Sequence, residues 1–185
     1  MQQIILKNAR EFETCIYKVL DSFNIVSCSF EFKGGDIILN LPNNENIDES
    51  EFLNRLKENY LCVKKIELEK KINEKCDALI LEGFDSNALG EIHHYDMRLE
   101  DQLNIQALAS ASLGSPFRCA KVLEDGKLAN KTYKEHTAEQ IKKVFADGLR
   151  FKSEILNTYG AIKERLYTIN SLEELANFER QELAK

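Results

Sequence analysis

A long apolar repeat near the C-terminus constrains the fold more than any other feature of the sequence. Its residues recur at alternating steps of about three and four positions, broken by Lys152: Ile141, Phe145, Gly148, Ile155, Tyr159, Ile162, Leu166 and Ile169. This spacing is typical of one face of an α-helix. Thr137 and Gln140 stand just ahead of it in the register of a capping box. We therefore predict that this segment forms the longest helix of the chain.

A helix face of this length can be covered in two ways. It can pack on other elements of its own chain or on the same helix of another copy. The pattern leaves both open, so a homo-oligomer is one prediction, and its interface would consist of Ile141, Phe145, Ile155, Tyr159, Ile162 and Leu166. Ser171 and Glu174 follow in capping-box register and predict a final helix through Leu172, Leu175 and Phe178.

Two β-hairpins are predicted from alternating apolar runs on either side of a turn. In the first, IVSCSFEF and DIILNL flank the pair Gly34-Gly35. In the second, FRCAKVL and KLANKTY flank Asp125-Gly126, a dipeptide that favours tight hairpin turns.

The remaining segments predict helices. Asn8 and Glu11 have capping-box spacing ahead of a helix over residues 9–22. After a polar loop at residues 41–50, a second helix follows Asp48 and ends near Asn59 or Tyr60. We predict a short strand at LCVKKIEL, then a charged helix that stops at Gly83, and another helix in DQLNIQALASASLG.

Together these elements predict an α+β fold. A small N-terminal α/β unit with a hairpin would occupy residues 1–65. A C-terminal domain with the order helix, hairpin and long helix would occupy residues 66–185.

Composition limits the classes of function. A hydrophobic content of 43% is enough for a core, and no apolar run approaches the roughly 18 residues of a transmembrane helix. The first residues do not resemble a secretory signal, and the five widely spaced cysteines favour reduced thiols. The net charge of −6 has the wrong sign for a general binder of nucleic acid. We therefore expect a cytoplasmic protein that binds neither nucleic acid nor membranes.

Candidate chemistry is confined to a few residues. His93, Tyr95, Cys119 and His136 could in principle serve a metal-dependent enzyme, although adjacent His93 and His94 would point to opposite faces of a strand. The sequence has no HExxH, CxxC, GxSxG or phosphate-loop pattern. We predict no catalytic residue, no metal and no cofactor.

The string DQLNI collects polar groups at a predicted helix start, near Arg118 of the second hairpin. We interpret Asp101, Gln102 and Asn104 as caps and as members of a buried hydrogen-bond network. A ligand site is the alternative.

Several short strings occur in a fixed order: GFDSNALGEIHHYD, EDQLNI, SPFRC and HTAEQIKKVFADG. Over residues 72–178 this order resembles an uncharacterised domain family that recurs near the C-terminus of bacteriophage and prophage tail proteins. The resemblance implies a structural or partner-binding role for the matched positions, which include Gly83, Phe84, His93, Tyr95, Asp101, Gln102, Asn104 and His136, with Arg118 beside them. It implies no enzymatic activity.

Our leading hypothesis is a noncatalytic phage or prophage protein. It would be a tail or tail-fibre component, or an accessory factor in fibre assembly, that binds other proteins and resides in the bacterial cytoplasm or the virion. The alternatives are a small metal-dependent enzyme that uses His93, His136 and Cys119, and a phage-encoded inhibitor of a host protein.

Overall fold

The computed structural model describes residues 2–42 and 47–183, so part of the predicted polar loop at 41–50 lies outside the described residues. The chain forms two compact units. One combines residues 1–69 with 166–185, and the other consists of residues 70–165. The predicted domain boundary at residue 65 stays a prediction.

A three-stranded antiparallel sheet organises the first unit. β1 (Gln2–Leu6) and β2 (Ser29–Lys33) flank β3 (Asp36–Leu41) on its two sides. β2 and β3 form the predicted Gly-Gly hairpin, in which Lys33 pairs with Asp36. The alternating residues Ile37, Leu39 and Leu41 are fully buried, as expected for a strand that covers a core with one face.

The first helical segment differs from its prediction. Residues 9–22 contain a 3-10 helix (Arg10–Cys15) followed by a short helix α1 (Ile16–Ser22), and no side chain caps either one. Asn8 does not cap a helix, because its backbone turns into the left-handed region (φ 52°) and its N–H donates to Asp36 at 2.9 Å. The apolar positions nevertheless face inward, and Phe12, Ile16 and Val19 are buried.

Helix α2 (Glu49–Glu82) replaces three predicted elements with one 34-residue helix. The predicted end near Tyr60 and the strand at LCVKKIEL are both wrong. No glycine or proline interrupts the segment. Ion pairs one turn apart, such as Lys64–Glu67 at 2.6 Å, support helix where the apolar pattern is weak. Its beginning agrees with the prediction, because the Glu51 N–H donates to the Asp48 side chain at 2.8 Å.

The second unit contains a four-stranded antiparallel sheet in the order β4 (Phe84–Ser86), β5 (His93–Tyr95), β6 (Ser115–Lys121) and β7 (Thr132–His136). β6 and β7 form the second predicted hairpin, but its second arm begins at Thr132, later than the predicted segment 127–133, of which Leu128 makes only an isolated bridge to Val122. At its turn, the Gly126 N–H donates to Leu123 O at 2.9 Å, and Gly126 has a φ of +78° that suits glycine.

Three further helices are α3 (Leu99–Ala111), α4 (Ala138–Thr168) and α5 (Leu172–Leu183). The side-chain caps predicted ahead of α4 and α5 are confirmed. The Gln140 N–H donates to Thr137 Oγ1 at 3.3 Å, and the Glu174 N–H donates to Ser171 Oγ at 3.2 Å. Helix α4 has 31 residues and is shorter than α2, so the prediction that it would be the longest helix is wrong.

The apolar repeat of α4 is used inside the chain. In the second unit, Ile141 is fully buried, and Phe145, Ile155 and Tyr159 are partly buried against the same core. In the first unit, Leu166 is fully buried, and Ile162, just before the unit boundary, is half-buried. Ile141 and Leu166 therefore expose no surface that could contact another copy. The homo-oligomer itself stays a prediction.

The prediction of an α+β fold is confirmed, because helices and antiparallel sheets are both present. Among the described residues, no helix combines the length and apolarity that crossing a bilayer requires.

Candidate functional site

A buried tyrosine–histidine pair lies in the core of the second unit. Tyr95 on β5 is completely buried, and its hydroxyl lies 2.9 Å from Nε2 of His136 at the end of β7. Nδ1 of His136 lies 2.7 Å from the Lys134 carbonyl. Because a carbonyl only accepts, Nδ1 carries a hydrogen, and in the neutral ring Nε2 accepts from the tyrosine. Burial lowers the pKa of His136, which agrees with a neutral ring.

The other residues of the hypothetical enzyme surround this pair. Burial raises the pKa of both the Cys119 thiol and the Tyr95 hydroxyl, so both groups keep their protons. His93 is buried, and its Nδ1 lies 3.0 Å from the Glu91 carbonyl. The structure thus brings the predicted residues together. Tyr95 and His136 bond to one another, and the Nδ1 atoms of His93 and His136 bond to backbone carbonyls. Within residues 2–42 and 47–183, no three His, Cys, Asp or Glu side chains are placed to hold a metal ion.

The state of His136 predicts a dependence of stability on pH. Its pKa is lower in the folded chain than its ordinary value of 6.5, so the unfolded chain binds this proton more readily between the two values. Its contribution to the free energy of unfolding is complete above the unfolded pKa and declines as the pH falls toward the folded pKa. We expect the free energy of unfolding, measured with urea, to change less between about pH 7.5 and 5 in the His136→Gln variant than in the wild type. Equal slopes in both proteins would contradict a neutral buried ring.

His94 points away from the core, as the strand alternation predicts. Nδ1 lies 2.8 Å from the Asp85 carboxylate, and Nε2 lies 2.8 Å from the Glu82 carbonyl at the end of α2. Both partners only accept hydrogen bonds, so both bonds form together only when the ring carries two protons. Gly83 lies directly beneath this ring: a Cβ placed there would meet the Tyr95 carbonyl oxygen at 2.3 Å and His94 Nε2 at 2.7 Å.

Ser86 joins β4 to α4. Its hydroxyl donates to Asp147 Oδ2 at 2.7 Å and accepts from the Ala88 N–H at 3.2 Å. Phe84, two residues earlier, stacks on Tyr95 with ring centroids 5.6 Å apart and covers Gly148 of α4. The string GFDSNALGEIHHY is therefore explained largely as scaffold of the second unit.

An open groove of about 660 Å³ lies between α3 and the β6–β7 hairpin. Apolar side chains form one part of its lining, namely Ala107, Leu108, Pro116 and Phe117. Charged side chains form another part, namely Asp96, Arg98, Glu100, Asp101 and Arg118. Asn104, Ser115 and Tyr133 complete the lining. The groove thus combines apolar surface with charges of both signs.

The predicted buried network around DQLNI does not form. Of these three side chains, Gln102 alone bonds to a residue that the structure describes: its Nε2 donates to the Met97 carbonyl at 2.8 Å, and its Oε1 accepts from Lys152 Nζ at 2.7 Å. Asp101 and Asn104 line the groove with Arg118. Their side chains make no hydrogen bond or ion pair with any residue that the structure describes. The reason is geometric, because these positions lie on a face of α3 that turns toward solvent and not toward the core.

Sequence reasoning missed several groove residues. Tyr133 is 72% exposed on β7, and Arg98 precedes α3 without a described ion-pair partner. Asp96, just after β5, forms an ion pair with Lys131, just before β7. The sequence places Tyr133 in a predicted strand, so this residue could have been considered. The approach of α3 to β6 could not be predicted from the sequence.

These features describe an α+β protein whose second unit has hydrogen-bonded side chains in its core and an open groove at its surface. The family of domains of unknown function DUF4376 matches residues 63–180, which is well over half of the sequence, and the chain belongs to this family. No curated protein and no solved structure matched the chain.

Proposed function

We propose that this chain is a noncatalytic protein-binding component of a bacteriophage or prophage. It would act in the tail, in the tail fibre or in their assembly, and would reside in the bacterial cytoplasm or the virion. The phage assignment is supported by the resemblance of residues 72–178 to a domain that recurs in tail proteins.

The groove between α3 and β6 is the observation that carries the binding role. Of the positions that support the resemblance, Gly83, Phe84, His93, Tyr95 and His136 are explained by packing and hydrogen bonds within the second unit. Asp101 and Asn104 are not, and neither is the neighbouring Arg118, because no described residue bonds to their side chains. The groove has an apolar lining with polar groups beside it, and this matches the apolar core and polar rim of protein interfaces.

Photocrosslinking tests this proposal. With a photoreactive phenylalanine analogue in place of Tyr133, on the groove rim, we expect adducts in phage-producing cells that contain a phage structural chain, this protein included. Tyr17, which has the same exposure of about 71%, carries a second probe that reports on the first unit. The Tyr133 probe combined with Arg118→Glu is the matched control, and its adducts should weaken.

The outcomes separate the hypotheses. Adducts confined to a host protein would contradict a tail role and favour the inhibitor. The absence of any adduct from either probe would contradict a protein-binding role.

A further inference from the structure

The groove also indicates what kind of partner it fits. Two arginines, Arg98 and Arg118, and two carboxylates, Glu100 and Asp101, line it, and none of the four makes an ion pair within the described parts of the chain. A partner of one charge sign would neutralise two of these groups and repel the other two. A surface that itself carries both signs in this arrangement can satisfy all four.

Two exposed leucines form a ridge on α3, and each directly precedes a residue that lines the groove, Glu100 or Asn104. Leu99 is 65% exposed and Leu103 is 57% exposed, one turn apart on the same helix. The groove beside them offers apolar lining from Leu108 and Phe117. Exposed leucines next to an apolar groove are typical of an interaction surface.

We propose that the groove binds the same surface of a second copy of this chain in a two-fold symmetric dimer. In such an isologous contact, residue i of one copy meets residue j of the other, and the reverse contact follows by symmetry. The Leu99–Leu103 ridge of each copy fills the groove of the other, and Arg118 of each copy pairs with Asp101 of the other. This inference rests on the proposed function, whose contact surface it assigns to self-association.

Charge reversal tests the pairing in the purified full chain. We expect light scattering across a concentration series to give a dimer at low salt that weakens as salt rises. Arg118→Glu and Asp101→Arg should each raise the dimer dissociation constant about tenfold or more, because each places like charges opposite one another. Lys142→Glu, an exposed charge of α4 outside the groove, is the matched control and should leave the dimer intact.

Restoration of the dimer makes the test specific. An equal mixture of Arg118→Glu and Asp101→Arg should form a heterodimer in which both pairs are attractive, and the double variant should dimerise with itself. Circular dichroism spectra like that of the wild type, with a cooperative thermal transition, would show that each variant is folded. A wild-type chain that is monomeric at every concentration, or a mixture that stays monomeric, would overturn the inference. Crosslinks from Tyr133 to a different phage structural chain would still support the proposed function in that case.

Discussion

Replacing Gly83 by alanine is expected to destabilise the protein by about 3 kcal/mol or more. Two effects add at this position. Gly83 has a φ of +94°, which an alanine adopts only with strain. The new methyl group would also lie 2.3 Å from the Tyr95 carbonyl oxygen, a backbone atom of the neighbouring strand that cannot move without disturbing the pairing of β4 and β5. Urea unfolding followed by circular dichroism measures the loss.

Gly90 is the matched control for this substitution. It has a φ of +88°, and nothing lies within 4 Å of an added Cβ. Gly90→Ala should therefore show the strain alone, at roughly 1–2 kcal/mol. Equal losses for the two variants would mean that the contact with β5 contributes nothing and that backbone conformation explains both.

Removing the side chain of Tyr95 is expected to cost about 3–5 kcal/mol, because it leaves a large cavity in the core of the second unit. Phe84 stacks on this ring, and Phe117 approaches it with centroids 6.3 Å apart. Tyr95→Phe separates packing from hydrogen bonding. It keeps the ring but leaves Nε2 of His136 buried without a donor, at a cost of about 1–3 kcal/mol.

Tyr133→Ala serves as the control, because this tyrosine is 72% exposed and its loss should change the free energy of unfolding by no more than about 0.5 kcal/mol. A Tyr95→Phe variant as stable as the wild type would show that the bond to His136 adds no net stability. A large effect at Tyr133 would instead mean that the groove rim is part of the folded core.

Local rules anticipated much of the fold. The caps at Thr137 and Ser171 and the turns at Gly34-Gly35 and Asp125-Gly126 depend on atoms within a few residues of one another, so the sequence pattern is sufficient to predict them. The failures depend on distant partners. β1 was not predicted, because only Ile4 and Leu6 face inward and its strand partner β3 lies more than 25 residues away.

The candidate site shows the same division. His93, Tyr95 and His136 were identified from the sequence, but the bond between Tyr95 and His136 spans 41 residues, and no spacing rule predicts it. Asp101, Asn104 and Arg118 were also identified. Whether their side chains are bonded inside the chain or remain free depends on which face of α3 meets the core, and its weak apolar pattern did not determine that.

The composition of the first unit has a consequence for biosynthesis. Its core contains residues from β1 to α2, and Leu172 of α5 packs against that core after the second unit has intervened in the sequence. A ribosome therefore releases all of residues 70–165 before the segment that completes the first unit. Part of the core of the first unit therefore stays uncovered until Leu172 and its neighbours emerge. Pulse proteolysis of stalled nascent chains would therefore find the first unit vulnerable long after its own strands have been synthesised.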